Sequence, residues 1–116
     1  MKVLIVDDEP LVRYTLKRVL ESLGDTVVLA VDGQQGLDAW LKVSPDLTFL
    51  DIIMPKLTGP EVLIELGNRK TGKVVMMSAF TGEQSQETAK QVGADDFIEK
   101  PFDDIFAVVK RAKELV

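Results

Sequence analysis

The sequence predicts an α/β fold: a three-layer sandwich in which a five-stranded parallel sheet lies between layers made of five helices. Three observations predict it. Runs such as Val3 to Val6 and Val74 to Met77 are apolar without polar alternation, the pattern of strands buried on both faces. Stretches with helical periodicity separate these runs. Gly, Pro and Asp break the chain at short intervals, so the connections are short and no linker is expected.

The elements follow in order. Lys2 to Asp7 reads as the first strand. Pro10 suits the opening turn of a helix, where its missing N–H costs nothing. Val12, Leu16, Val19, Leu20 and Leu23 then mark one helical face, and Gly24 is a C-terminal stop. Thr26 to Val31 is a strand, and Gly33 to Val43 a helix with Leu37, Trp40 and Leu41 inward. Asp46 to Asp51 is the third strand, followed by a loop from Met54 to Thr58. Pro60 to Asn68 is a helix carrying Val62, Leu63 and Leu66. Lys73 to Ser78 is a strand, and Glu83 to Val92 a helix closed by Gly93. Asp95 to Lys100 is the fifth strand. Asp103 to Leu115 is the fifth helix, with Ile105, Val108, Val109 and Ala112 inward.

Composition bounds the function. The chain has 116 residues with 46% apolar content, so residues 1–116 are expected to form one domain with a real core. No apolar run approaches the roughly 20 residues of a membrane span, and the first strand begins too early for a signal peptide. There is no cysteine, which removes thiolate chemistry and fits a reducing compartment. There is no histidine, which removes Ser-His-Asp hydrolysis and imidazole metal sites. A metal would need oxygen ligands, and so would be a hard cation such as Mg²⁺ or Ca²⁺. A net charge of −5 argues against binding nucleic acid.

Two strand orders are common for such sheets, and five strands favour the flavodoxin-like order 2-1-3-4-5. Strands 1 and 3 are then neighbours, the order reverses between them, and ligands bind beyond the carboxyl ends at that reversal. Asp7 and Asp8 end strand 1, and Asp51 ends strand 3. Ser78 and Lys100 end strands 4 and 5 on the same rim.

Each of these residues has a plain structural explanation. Asp7, Asp8 or Glu9 could cap the first helix, and Asp51 could be a turn residue. Their convergence is what needs a cause. Three carboxylates raise one another's pKa unless a cation offsets them. Mg²⁺ uses one or two carboxylates, keeps waters, and leaves room for a phosphate oxygen. Asp51 is central and can act as a carboxylate nucleophile, giving an aspartyl phosphate. Lys100 could hold a phosphoryl oxygen as a point charge, and Ser78 could bond another.

These residues carry a family resemblance over the whole chain. Val6-Asp-Asp-Glu9 with Pro10, Asp51-Ile-Ile-Met-Pro55 with Gly59, Met76-Met-Ser-Ala79, Gly93-Ala-Asp-Asp-Phe97 and Lys100-Pro-Phe102 resemble a response-regulator receiver domain. The resemblance implies that Asp51 takes phosphate from a histidine kinase or histidine phosphotransfer protein. It implies Mg²⁺ held by Asp8, Asp51 and the Ile53 carbonyl, with Asp7 acting through a bound water. Lys100 would pair with the phosphoryl group. Ser78 and Phe97 would be the switch, coupling Asp51 to the surface of helix 4, strand 5 and helix 5 and to an unknown output partner. The Lys100-Pro101 bond would be cis, and Ala79 would leave space for phosphate. Such a domain is a phosphoacceptor rather than an enzyme, and it is cytoplasmic, with no membrane and no nucleic-acid contact of its own.

Some positions depart from the commoner pattern. Thr58 stands where an acid often precedes the glycine, Pro60 follows that glycine, and Phe97 replaces a frequent tyrosine. Ile53 and Phe80 flank the expected phosphoryl site and are apolar, so neither can orient an attacking water, and slow autodephosphorylation is expected. Helix 4, from Glu83 to Gln91, has little apolar face, which favours mobility. Arg13, Tyr14, Lys17 and Arg18 on the first helix form a docking face for a kinase by the same analogy.

Three other readings fit less well. Aspartate-nucleophile phosphatases carry a second acid two residues after the nucleophile, where this chain has Ile53. A flavodoxin-like cofactor binder needs a glycine-rich phosphate loop after strand 1, where Asp8, Glu9 and Pro10 stand instead. A degenerate receiver would have lost part of the set that is complete here.

Overall fold

The computed structural model describes residues 1–79 and 83–116. Five strands alternate with five helices: β1 (Lys2–Val6), α1 (Pro10–Ser22), β2 (Thr26–Ala30), α2 (Gly33–Val43), β3 (Leu47–Asp51), α3 (Gly59–Leu66), β4 (Lys73–Ser78), α4 (Glu83–Gln91), β5 (Asp96–Glu99) and α5 (Ile105–Lys113). A short 3₁₀ turn over Gly67–Arg69 follows α3. All strand pairs are parallel, in the order β2-β1-β3-β4-β5. The expected flavodoxin-like sandwich is the one found.

Alternation along each strand divides the core in two. Val3, Ile5 and Phe49 face α1 and α5, where Leu16, Leu20, Val109 and Ala112 close the layer. Leu4, Val6 and Leu50 face the other side, against Trp40 of α2, Val62, Leu63 and Leu66 of α3, and Ala89 of α4. The central strands are buried on both faces, which is why they lack polar alternation.

Helix starts follow cap chemistry rather than the apolar pattern. The Thr58 side chain accepts from the Glu61 N–H, and Glu61 accepts from the Thr58 N–H, a reciprocal capping box that starts α3 at Gly59. Asp32 caps α2 by accepting from Gln35 N–H at 2.8 Å. Asp104 caps α5 by accepting from the N–H groups of Phe106 and Ala107. Asp103 therefore lies outside the last helix.

Two residues expected inward are exposed. Leu23 is 56% exposed because it is already the C-cap of α1, off the helical periodicity. Leu41 is 42% exposed, one step around the helix from buried Trp40. No helix among the described residues is long and apolar enough to cross a membrane.

Candidate functional site

The carboxyl ends of β1, β3, β4 and β5 form one rim. Asp51 is the last residue of β3 and 4% exposed. Asp7 follows β1 directly and is fully buried, its N–H still donating to the Ala30 carbonyl at 3.2 Å. Ser78 ends β4 and is buried. Lys100 follows β5, and its N–H donates to the Ser78 carbonyl at 2.8 Å. Asp8 is exposed at the mouth.

These side chains meet. One carboxylate oxygen from each of Asp7, Asp8 and Asp51 lies within 4.8 Å of the others. Lys100 Nζ donates to Asp7 Oδ2 at 2.9 Å and to Glu9 Oε1 at 3.0 Å, and stands 3.4 Å from Asp51 Oδ2. The capping explanation for the acids does not hold. Glu9 is the N-cap residue of α1, but its side chain makes no capping bond and reaches Lys100 instead. Asp7 Oδ1 accepts from the Glu9 N–H at 2.9 Å, which closes the turn between β1 and α1.

The electrostatics reflect this crowding. Burial pushes the Asp51 carboxyl up to about 7, with the Asp7 charge adding to it and Lys100 opposing it. Asp7 is also raised by burial, against the Glu9 N–H and Lys100, which lower it. Burial works against the Lys100 ammonium, but its bonds to Asp7 and Glu9 and the Asp51 charge outweigh that and lift it above the usual lysine range. One lysine faces two buried carboxylates, Asp7 and Asp51, with exposed Asp8 beside them. The donor set is all oxygen and net negative, which suits a hard divalent cation.

The segment after Asp51 is tightly built. Ile52 N–H donates to the Met77 carbonyl at 2.9 Å, and Gly59 N–H to the Ile52 carbonyl at 2.8 Å. A Cβ on Gly59 would run into the Asp51 carbonyl and come within 2.8 Å of Met76 Cε, so only glycine lets α3 start this close to Asp51. A Cβ on Gly33 would strike the Leu57 carbonyl, so α2 also abuts this loop. Lys56 adopts a positive φ of 73° within the loop. Ile53 is 55% exposed beside Asp51. Phe80 lies outside the described residues. Ala79 is exposed, and the Lys100-Pro101 bond is cis as expected.

Phe97 on β5 is half-buried against the core on the α2, α3 and α4 side. It also lines an open groove of about 520 Å³ bounded by Gln86, Ala89 and Lys90 of α4 and Arg111 of α5.

Two residues near the rim escaped the sequence reading. The sequence offers Glu9 only as a possible cap, and a third acid in a row gives no sign that it folds back on Lys100. Arg13, expected on a docking face of the first helix, is only 8% exposed and donates through Nη1 to the Asp7 carbonyl at 2.8 Å. Its place among the apolar positions of α1, next to Val12 and three before Leu16, was the available signal.

The sequence matches the family model described as response regulator receiver domain over residues 3–110. It is 40% identical over 103 residues to the transcriptional regulatory protein CpxR of Escherichia coli (strain K12), covering 89% of this chain and 44% of CpxR. It is 34% identical over 116 residues to response regulator RR06 of Streptococcus pneumoniae, covering 100% of this chain and 53% of RR06. The chain thus spans about half the length of these curated relatives, or less. The fold is similar to chemotaxis protein CheY4 of Vibrio cholerae, with a TM-score of 0.90 at 28% identity over 99% of this chain and 98% of that one. It is also similar to a chain of the CheX-CheY-BeF3-Mg+2 complex from Borrelia burgdorferi, with a TM-score of 0.88 at 31% identity, covering 98% and 87% of the two chains. In the receiver family an aspartate is phosphorylated with Mg²⁺, and the domain serves two-component signalling. A family match that leaves out only the chain's ends, on the fold and rim described above, decides the matter: this chain belongs to the response regulator receiver domains.

Proposed function

We propose that Asp51 is the phosphoacceptor and that residues 1–116 act as one receiver unit. The observation that carries this is the meeting of Asp7, Asp8 and Asp51 within 4.8 Å, with Lys100 3.4 Å from Asp51, at the point where the strand order reverses. Asp8 and Asp51 would hold Mg²⁺ through their carboxylates and Ile53 through its backbone carbonyl, with Asp7 bound through a water. When bound, the cation offsets charge on the transferring oxygens.

The chain's own residues do the rest. An ionised Asp51 oxygen attacks the phosphorus of a partner's phosphohistidine. The O–P bond forms, the N–P bond breaks, and the electron pair stays on the imidazole nitrogen. Lys100 holds a phosphoryl oxygen, moving its charge from the carboxylates to the new group. Ser78 bonds another oxygen, and Phe97 turns inward behind it. The groove between α4, β5 and α5, where Phe97 now sits half-buried, is the surface that changes for an output partner.

Receiver domains are in general phosphoacceptor switches rather than turnover enzymes. The donor for this chain would be a histidine kinase or histidine phosphotransfer protein, in keeping with the lack of histidine here. The setting would be cytoplasmic. Contact with nucleic acid or membrane is not expected of this domain.

Incubation with acetyl phosphate and Mg²⁺, followed by intact mass, tests the reading. One phosphate adduct is expected on the wild type and none on Asp51→Asn. No adduct on the wild type, or an equal adduct on the variant, would sink it.

A further inference from the structure

Helix α1 buries an arginine at the rim. Arg13 is 8% exposed, and its guanidinium donates to a backbone carbonyl, that of Asp7, at 2.8 Å. A buried cation is costly to keep, so its partner is informative. That carbonyl belongs to the peptide joining Asp7 to Asp8. The turn is fixed on its other sides as well. Asp7 N–H donates to the Ala30 carbonyl, and Glu9 N–H donates to Asp7 Oδ1 at 2.9 Å.

Asp8 differs from its neighbours. It is exposed, and among the described residues its carboxylate has no hydrogen bond or ion pair to hold it. Its oxygen nevertheless lies within 4.8 Å of those of Asp7 and Asp51. The backbone must therefore aim it. Rotating the Asp7–Asp8 peptide would break the Arg13 bond and swing the Asp8 side chain away from the cluster.

We propose that Arg13 is a positioning residue that locks the Asp7–Asp8 peptide so that Asp8 stays aimed at the cation site. This rests on the reading of the acid cluster as a Mg²⁺ site. Arg13 touches neither the phosphoryl group nor the cation, and it acts through the Asp7 carbonyl. Losing a bond that keeps a metal ligand oriented typically costs about tenfold or more in metal affinity.

The test is Mg²⁺ binding to the whole chain by calorimetry, without any phosphodonor. Arg13→Met keeps an apolar stem and drops the donor. It is expected to weaken Mg²⁺ binding by about tenfold while the far-UV spectrum is unchanged. Arg13→Lys, which restores a donor on a long stem, should recover most of the affinity. Wild-type affinity in Arg13→Met would overturn the proposal, whatever the change in thermal stability. Tighter binding would overturn it too, because it would mean that Arg13 acts only as a repelling charge. If Arg13→Met does not fold, Arg13→Leu, which also lacks a donor, is read in its place by the same criteria. Asp8→Asn is the control. A wild type that binds no Mg²⁺ would remove the metal reading itself and the proposal with it, an outcome distinct from a wild type and variant that bind alike.

Discussion

Lys100 Nζ stands 3.4 Å from Asp51 Oδ2, yet its shorter contacts are to Asp7 at 2.9 Å and Glu9 at 3.0 Å. The lysine is thus shared among three acids. Asp7 and Asp51 are buried, and removing Lys100 would leave both without their cation. Lys100→Met is expected to destabilise the Mg²⁺-free chain by about 3 kcal/mol, since breaking a buried pair strands its partners. Urea melts in chelator and in excess Mg²⁺ check this. The loss should shrink with Mg²⁺, and an equal loss in both would show that the cation does not share the site with Lys100.

Asp51 should make stability depend on pH in an unusual direction. Asp51 is raised from 3.8 to about 7 by burial and by Asp7. Between those values the folded chain binds more protons than the unfolded one, so stability from this group falls as pH rises through that window. Asp51→Asn removes the ionisation. Without Mg²⁺, the variant is expected to be about 2 kcal/mol more stable than wild type near pH 8, roughly half what such a shift would carry for an isolated group. The gap should narrow as pH falls and close only below about 3.8, where both states hold the proton. A pH-independent gap in melts of the two proteins would contradict the assigned cause.

Asp7, Asp51, Ser78 and Lys100 could be found in the sequence because each follows or ends an apolar strand, and because the strand order puts those ends on one rim. Two simple periodicities and one topological rule were enough. Other features depend on forces that the apolar pattern does not carry. The start of α3 at Gly59 rather than Pro60 is set by the Thr58 and Glu61 side chains. The Asp7 side chain lies just past β1 because it turns back to the Glu9 N–H. Arg13 reads as solvated by residue type, and only its helical position hints that it is buried. The fold of Glu9 onto Lys100 joins residues far apart in the chain through a surface side chain, which leaves no periodic trace.

Glycine at position 59 is required by space rather than by dihedral freedom. An added Cβ would meet the Asp51 carbonyl and lie 3.1 Å from the Ile52 Cα. Both are backbone and cannot yield without moving the end of β3. Gly59→Ala is expected to cost about 2 kcal/mol and to slow uptake from acetyl phosphate. The two readouts should move together. Loss of stability with an unchanged initial rate of phosphorylation would mean that the strain is relieved away from Asp51.

Thr48 sits fully buried in β3, and among the described residues its Oγ1 has no hydrogen-bond partner. An unpaired buried hydroxyl costs more than a methyl group of the same shape. Thr48→Val is therefore expected to stabilise the chain by about 1 kcal/mol without altering phosphorylation. Thermal and urea melts check the sign. A destabilised variant would place a bridging water at this hydroxyl.

Ile53 bears on how long the signal lasts. It lies two residues after Asp51 and is 55% exposed, so it borders the path by which water reaches the phosphoryl group. Hydrolysis needs a water placed in line with the O–P bond, and a hydrocarbon side chain cannot place one. The wild-type phosphoprotein is expected to decay slowly. Ile53→Asn supplies both a donor and an acceptor at that spot, and should shorten the half-life on the order of tenfold. Decay is followed by intact mass after the phosphodonor and Mg²⁺-bound protein are separated and Mg²⁺ is restored. Loss within seconds in the wild type would count against the apolar barrier. An unchanged half-life in Ile53→Asn would place control of hydrolysis elsewhere at the rim.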